Sequence, residues 1–296
     1  MTCSKKKNMK VSNSKYGVIL SLPGLLIIIA LVIFPVGTLF VTSFLRYTSF
    51  PPIRFIGFRN YLYIFNDRLF WVALKNTTVY AAGVTFFTFV GGLVIALLLS
   101  KVSKGSGFLR SLSMFPWAVP LVISGFIWKW IFNPNVGIFS DFLMKLGLIS
   151  KPLPVFSDPN LAMIGCIVAD AWVRIPFMCI FTLAGLESIP TELYDAARVD
   201  GADCFDCFRH ITLPLTKRMI FIGLLITSMF TFRTIDVIFS MTEGGPARAT
   251  YVLGYYIIDQ LWTRVNFGTG SAAGVVTLLL ILSFAGFYVY LIFKKE

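Results

Sequence analysis

Six of the chain's fourteen acids, Glu187, Glu192, Asp195, Asp200, Asp203 and Asp206, crowd into residues 187–214. The sequence on either side is largely apolar, so an acidic, solvated segment set within it points to docking of a partner. Two further charge pairs interrupt apolar runs: Asp170 with Arg174 at i,i+4, and Arg233 with Asp236 at i,i+3. On a helix these spacings put each pair on one face. An ionisable side chain at membrane depth is costly unless it is paired or hydrated, so such residues line solute paths or tie helices together as local ion pairs. Both readings stand open for both pairs. Cys204-x-x-Cys207-x-x-His210 has the spacing of three zinc or redox ligands on one helical side, but no fourth ligand follows and His210 is the chain's only histidine. No metal site is expected there. No G-x-x-x-x-G-K-[ST] phosphate loop occurs, so an ATP site of that kind is not expected either.

The elements that must position these groups are membrane helices. Of 296 residues 57% are hydrophobic and 14% charged, against roughly 25% charged in soluble domains. The net charge of +12 is scattered over loops and ends, which does not suggest nucleic acid. A helix needs about 20 apolar residues to cross a hydrocarbon core of roughly 30 Å. Six segments qualify by apolarity and flanks: 18–44, 76–100, 111–128, 161–186, 219–241 and 265–293. The third ends in the aromatic cluster Trp128, Trp130 and Phe132, suited to an interface. Six crossings put both termini on one side. Lys5, Lys6, Lys7, Lys10 and Lys15 precede the first run with no acid among them, and Lys294 and Lys295 follow the last. Lysine bias marks that side as cytoplasmic. Lys101 and Lys104 mark the loop after the second span as cytoplasmic, and the loop 187–218 then faces the cytoplasm too. The first run is too long for a signal-peptide core, so no cleaved leader is expected. The five cysteines form no disulfide framework; Cys166 and Cys179 fall in apolar segments, and Cys3, Cys204 and Cys207 would face a reducing compartment. Residues 54–77 are aromatic-rich and partly amphipathic, an interfacial stretch. Residues 139–148 read as a short outer helix between proline turns.

The polar loop has its own grammar. Pro190 fits a first helical turn, where its missing N–H costs nothing. Thr191–Asp200 favours a helix, with Leu193, Tyr194 and Ala197 on one side. Gly201 ends it in a left-handed conformation. A second short helix begins at Ala202, with Phe205, Phe208 and Ile211 at spacing three, and Pro214 closes the unit. Ala196 and Ala197 leave room for another backbone.

Asp195-Ala196-Ala197, three residues, Gly201, nine residues, then Ile211-Thr212-Leu213-Pro214 resembles the cytoplasmic motif of permease subunits in bacterial binding-protein-dependent ABC importers. The one departure is Asp195, where that family usually has Glu. Phe55-Ile56-Gly57-Phe58-Arg59-Asn60-Tyr61, Phe70-Trp71, Asn76-Thr77, Phe115-Pro116-Trp117-Ala118-Val119-Pro120 and Phe132-Asn133-Pro134 resemble carbohydrate-importer permeases. Thr242-Glu243-Gly244-Gly245-Pro246 resembles the first of the two paired permeases, the maltose and glycerol-phosphate type. The likeness covers residues 16–293, leaving tails at 1–15 and 294–296.

The resemblance implies an all-α membrane protein of six transmembrane helices with cytoplasmic termini, set in the inner membrane among its lipids. It implies a cytoplasmic coupling helix between helices four and five. In this chain Asp195, Ala196, Ala197, Arg198, Asp200, Gly201, Leu213 and Pro214 would meet the ATPase. The implied partners are a second permease, two ATPase copies and an external solute-binding protein. ATP and Mg would sit on the ATPase, with no cofactor and no catalysis on this chain. A solute path near mid-membrane would fall on Asp170, Trp172, Arg174, Phe177, Thr227, Thr231 and Asp236. Neutral sugar sites commonly have neutral residues where Asp170 and Arg174 stand. Arginine suits carboxylate or phosphate, which admits an acidic sugar; alternatively Asp170 neutralises Arg174 and the pair binds hydroxyls. A glycerol-phosphate or polyol importer permease is the nearest alternative, and a self-sufficient secondary transporter the alternative of another class.

Overall fold

The computed structural model describes residues 13–102 and 105–293, with side chains from residue 21 onward. Cys3, the lysines at 5, 6, 7 and 10, Lys104, Lys294, Lys295 and both tails at their outer ends lie outside the described residues, as does the Lys15 side chain. In chain order the helices are α1 (Asn13–Ile28), α2 (Phe34–Ser43), α3 (Arg59–Asn66), α4 (Arg68–Ser100), α5 (Ser106–Ser113), α6 (Leu121–Ile131), α7 (Ile138–Lys145), α8 (Pro159–Glu187), α9 (Thr191–Val199), α10 (Cys204–Cys207), α11 (Leu213–Arg233), α12 (Asp236–Met241), α13 (Leu253–Ile258) and α14 (Phe267–Phe293). A two-stranded antiparallel ribbon, β1 (Leu45–Arg46) with β2 (Arg54–Phe55), is the one sheet among the described residues. Among the described residues, five helical stretches are long and apolar enough to cross a membrane, six if one bent pair counts as a span.

The segments expected to span differ from these helices in instructive ways. The second begins at Arg68 rather than Asn76, because the Asp67 carboxylate caps the helix by accepting from the Leu69 N–H at 2.9 Å. Hydropathy marks where lipid begins, whereas the cap marks where the helix begins. The third, expected as one helix over 111–128, is broken. Ser106–Ala118 and Leu121–Ile131 meet at 91°. Pro120 forces Val119 into extended backbone (φ −80°, ψ 123°), since the residue before a proline cannot easily stay helical.

The fifth span differs at both ends from the expected 219–241. It runs as one helix over Cys204–Arg233, so Pro214 does not close the polar loop. A π-helical turn at Phe208–Thr212 precedes the proline, with the Leu213 N–H bonding back to the Phe208 carbonyl. The widened turn accommodates a residue that lacks an N–H. The first span repeats the device: a π turn at Ile29–Ile33 precedes Phe34-Pro35. At its other end the fifth span stops at Arg233, Thr234 is extended (ψ 132°), and α12 starts anew at Asp236. Arg233 and Asp236 therefore share no helical face.

The α4 and α8 helices form the most extensive pair, and α11 packs on both. Tyr80, Val84, Cys166, Ile167, Ala169, Val237 and Ile238 make the main core between α4, α8 and α12. A second core joins Ile64 and Phe70 to Tyr256 and Ala272. The α6–α12 crossing is tight: a Cβ on Gly125 would stand 1.8 Å from Ser240 Oγ and 3.0 Å from its Cβ, so Ser240 would have to shift to admit one. Gly268, Gly270 and Gly274 face Leu45, Leu261 and Leu39 at packed contacts, in keeping with a packing role. The amphipathic α3 buries Asn60 and Ile64 and leaves Leu62 exposed. The short helix expected near 139–148 is α7.

Candidate functional site

The bend of the third span and the break of the fifth face one cavity of about 600 Å³. Trp117, Val119, Pro120 and Leu121 come from the bend, Val173, Arg174 and Phe177 from α8, and Thr227, Phe230, Arg233, Thr234 and Asp236 from either side of the break. Of the expected path residues, Arg174, Phe177, Thr227 and Asp236 are on this wall. Asp170, Trp172 and Thr231 are not: Trp172 packs edge-on against Trp128 at 6.1 Å between ring centres, and the Thr231 hydroxyl bonds to the Thr227 and Ser228 carbonyls of its own helix.

Asp170 lies behind the wall with no exposed surface. Its Oδ1 accepts from Arg174 Nε at 2.7 Å, and its Oδ2 accepts from the Tyr80 hydroxyl at 2.8 Å. Arg174 also donates through Nη2 to Thr234 Oγ1 at 2.8 Å. The Thr234 hydroxyl in turn donates to the Phe230 carbonyl at 2.8 Å. One network thus joins α4, α8 and the break in the fifth span. The i,i+4 geometry expected for Asp170 and Arg174 is present, and it holds a buried charge with a partner and a second hydrogen bond.

Nothing in the local sequence announces the break at Thr234. Phe232-Arg233-Thr234-Ile235 contains neither proline nor glycine; the Arg174 hydrogen bond from another helix is what the extended residue gains. Trp117, Val119, Pro120, Leu121, Val173, Phe230 and Thr234 are not among the expected path residues, and Arg233 is expected there only as one of two open readings of its pair with Asp236. Pro116 and Pro120 are the signal that could have found the first four. Phe230 carries two cations, with Arg233 Cζ 4.8 Å and Arg174 Cζ 6.0 Å from the ring centre. The Thr227 hydroxyl is buried and has no hydrogen-bond partner among the described residues, while Thr227 itself lies in the cavity wall.

At the other end of the bundle, α9 closes with paired bonds from the Gly201 N–H to the Arg198 carbonyl (3.1 Å) and from the Ala202 N–H to the Ala197 carbonyl (2.9 Å). This Schellman pattern requires the positive φ of +85° found at Gly201. Asp203 and Asp206 form a reciprocal capping box that starts α10. Tyr194 is hydrogen-bonded to Thr212 at 2.9 Å, fastening α9 to the base of the fifth span. Ala196, Val199 and Phe205 are exposed, as are Asp195, Arg198, Asp200, Leu213 and Pro214. The Asp195 carboxylate accepts from Arg198 at 3.0 Å within its own helix. Arg110 and Glu187 form an ion pair between α5 and the end of α8. Among the described residues no group of three or more His, Cys, Asp or Glu side chains could hold a metal, the Cys204–His210 run included.

A bundle of long apolar helices, broken around a largely apolar cavity with a few polar and charged side chains, is the fold of a multi-pass membrane protein. Residues 88–295 match the family described as the binding-protein-dependent transport system inner membrane component, and the chain belongs to that family. It is 34% identical over 281 residues to a trehalose/maltose transport system permease of Thermococcus litoralis, covering 95% of this chain and 94% of that one. It is 35% identical over 285 residues to a sulfoquinovosyl glycerol transport system permease of Agrobacterium fabrum, covering 94% and 91%. The fold matches a chain in the crystal structure of a bacterial ABC transporter that imports the acidic polysaccharide alginate, with a TM-score of 0.81, 22% identity and coverage of 96% and 98%. The chain is therefore a multi-pass inner-membrane permease subunit of an ABC importer.

Proposed function

We propose that this permease passes a sugar or oligosaccharide through the cavity between the bent third span and the broken fifth, by alternating access. The observation that carries the reading is that cavity: about 600 Å³, with Trp117, Phe177 and Phe230 as apolar faces and Arg174, Thr227 and Asp236 as polar groups. The size falls in the roughly 300–1,000 Å³ range of small-molecule sites. Aromatic faces beside a few fixed polar groups suit a ring that is apolar on its C–H faces and polar at its rim. The 34% identity to a trehalose/maltose permease supports a saccharide.

The chain works with a second permease, two ATPase subunits and an external binding protein. Residues 187–214 dock in the ATPase, with Asp195, Ala196, Ala197, Arg198, Asp200, Gly201, Leu213 and Pro214 at or beside the contact. The exposure of α9 and its hydrogen-bonded fastening to the fifth span support this, since movement imposed on α9 would pass along one continuous helix to Arg233. Both termini, within tails 1–15 and 294–296, then lie in the cytoplasm around the membrane domain 16–293, and ATP and Mg are bound by the ATPase. Calorimetric screening of the cognate binding protein tests the solute class: a saccharide hit is expected, and a panel in which only amino acids or peptides bind overturns it.

A further inference from the structure

We infer that Arg233, rather than Arg174, reads an anionic group on the solute, so that the imported saccharide carries a carboxylate, sulfonate or phosphate. This rests on the saccharide reading above and narrows it. Three charged side chains line the cavity: Arg174, Arg233 and Asp236. Arg174 is committed. Its charge is met by the fully buried Asp170 carboxylate, itself held by Tyr80, and a second donor is taken by Thr234. A guanidinium has five N–H donors, so Arg174 retains donors for hydroxyl groups, but its charge is spent.

Arg233 has no ion pair among the described residues, Asp236 included. Its guanidinium stands over the face of Phe230, 4.8 Å from Cζ to the ring centre. The guanidinium makes no hydrogen bond among the described residues, so its donors remain for a two-pronged contact with an oxyanion. Arg233 is also the last residue of α11, where the helix dipole stabilises the cation in the absence of a carboxylate. Asp236 remains as an acceptor for sugar hydroxyls. Arg233 is exposed at the cavity and has no carboxylate in ion-pair contact among the described residues, so a neutral sugar would bring it no anion, whereas an acidic one supplies a direct partner.

The binding-protein screen comes first, with oligogalacturonates, sulfated and phosphorylated sugars, and neutral malto-oligosaccharides as probes. An acidic hit is expected. A hit confined to neutral sugars overturns this inference while leaving saccharide import intact, whereas no saccharide hit overturns the import reading itself. Uptake by the complete reconstituted assembly then compares the acid with its methyl ester, or with the unsubstituted sugar for a sulfate or phosphate. Arg233→Gln and Arg233→Met are compared with the native chain, two replacements guarding against a failure of assembly. The binding protein is unchanged throughout, so any change in the acid-to-ester KM ratio belongs to the permease. The ratio should shift towards the ester by about tenfold or more, as for loss of one charge-assisted hydrogen bond, and Arg233→Lys should restore part of it. A ratio unmoved by either neutral replacement overturns the proposal.

Discussion

Asp170→Asn would leave the Arg174 guanidinium, whose side chain is 11% exposed, without its anion. Breaking a buried pair from one side typically costs about 3–5 kcal/mol. A marked fall in the thermal midpoint of the purified assembly is expected, and an unchanged midpoint would show that water already compensates the charge. Tyr80→Phe removes only the second bond to that carboxylate. A loss of about 1.5–3 kcal/mol is expected by the same measurement, and it should shrink sharply in an Asp170→Asn background because the two residues share one network. The i,i+4 spacing of Asp170 and Arg174 was legible in the sequence as one helical face. The contribution of Tyr80 was not, because it comes from another helix 90 residues away in sequence and stands in an apolar run with nothing to mark it.

At the scale of elements, glycines report where backbones meet or turn. Gly201 has open space where a methyl group would stand but a φ of +85°, so the cost of replacing it is backbone strain, about 1–2 kcal/mol. Gly201→Val should lower ATP-coupled uptake while Gly201→Asn, which tolerates the left-handed region, largely preserves it; equal effects of the two would point to lost contact instead of lost conformation. Gly125→Val should push α6 away from α12 and sharply lower uptake, since even a Cβ there meets Ser240 Oγ at 1.8 Å and its Cβ at 3.0 Å; native uptake by that variant would mean the crossing yields without cost. The ends of α9 were readable because Pro190 and Gly201 act through local geometry, whereas the Asp203 cap, which starts the second short helix at Cys204 and not at Ala202, was not read. The long apolar runs were readable because lipid demands them. The continuation of the fifth helix through Pro214 and its stop at Thr234 were not. The first depends on a π turn that absorbs the proline, and the second on a hydrogen bond from Arg174. The first is a rare local backbone geometry and the second a tertiary contact, and neither is marked by residue type. The bend at Val119-Pro120 lies between these cases: its prolines are visible, yet the apolarity of 111–128 suggests an unbroken span.

At the scale of the molecule, the first span has no buried residue in its most apolar window, within Ser21–Ser43, although that window's mean hydropathy is 2.8. Such a surface requires cover from lipid or from a second permease, in keeping with a subunit that works inside an assembly. One continuous helix runs from Arg233 at the cavity to Thr212, which is hydrogen-bonded to Tyr194 on α9, and we propose that this line carries movement between loop and cavity. In the proposed mechanism this line is a passive conduit driven by ATPases elsewhere. Solute flux in proteoliposomes tests that claim most directly. Vesicles holding the second permease, both ATPase copies, the binding protein and this chain should accumulate labelled saccharide only with ATP and Mg inside the ATPase compartment, and vesicles holding this chain alone should show no flux above empty liposomes. Saturable saccharide or ion-coupled flux through this chain by itself would contradict the passive role and make it a self-sufficient transporter.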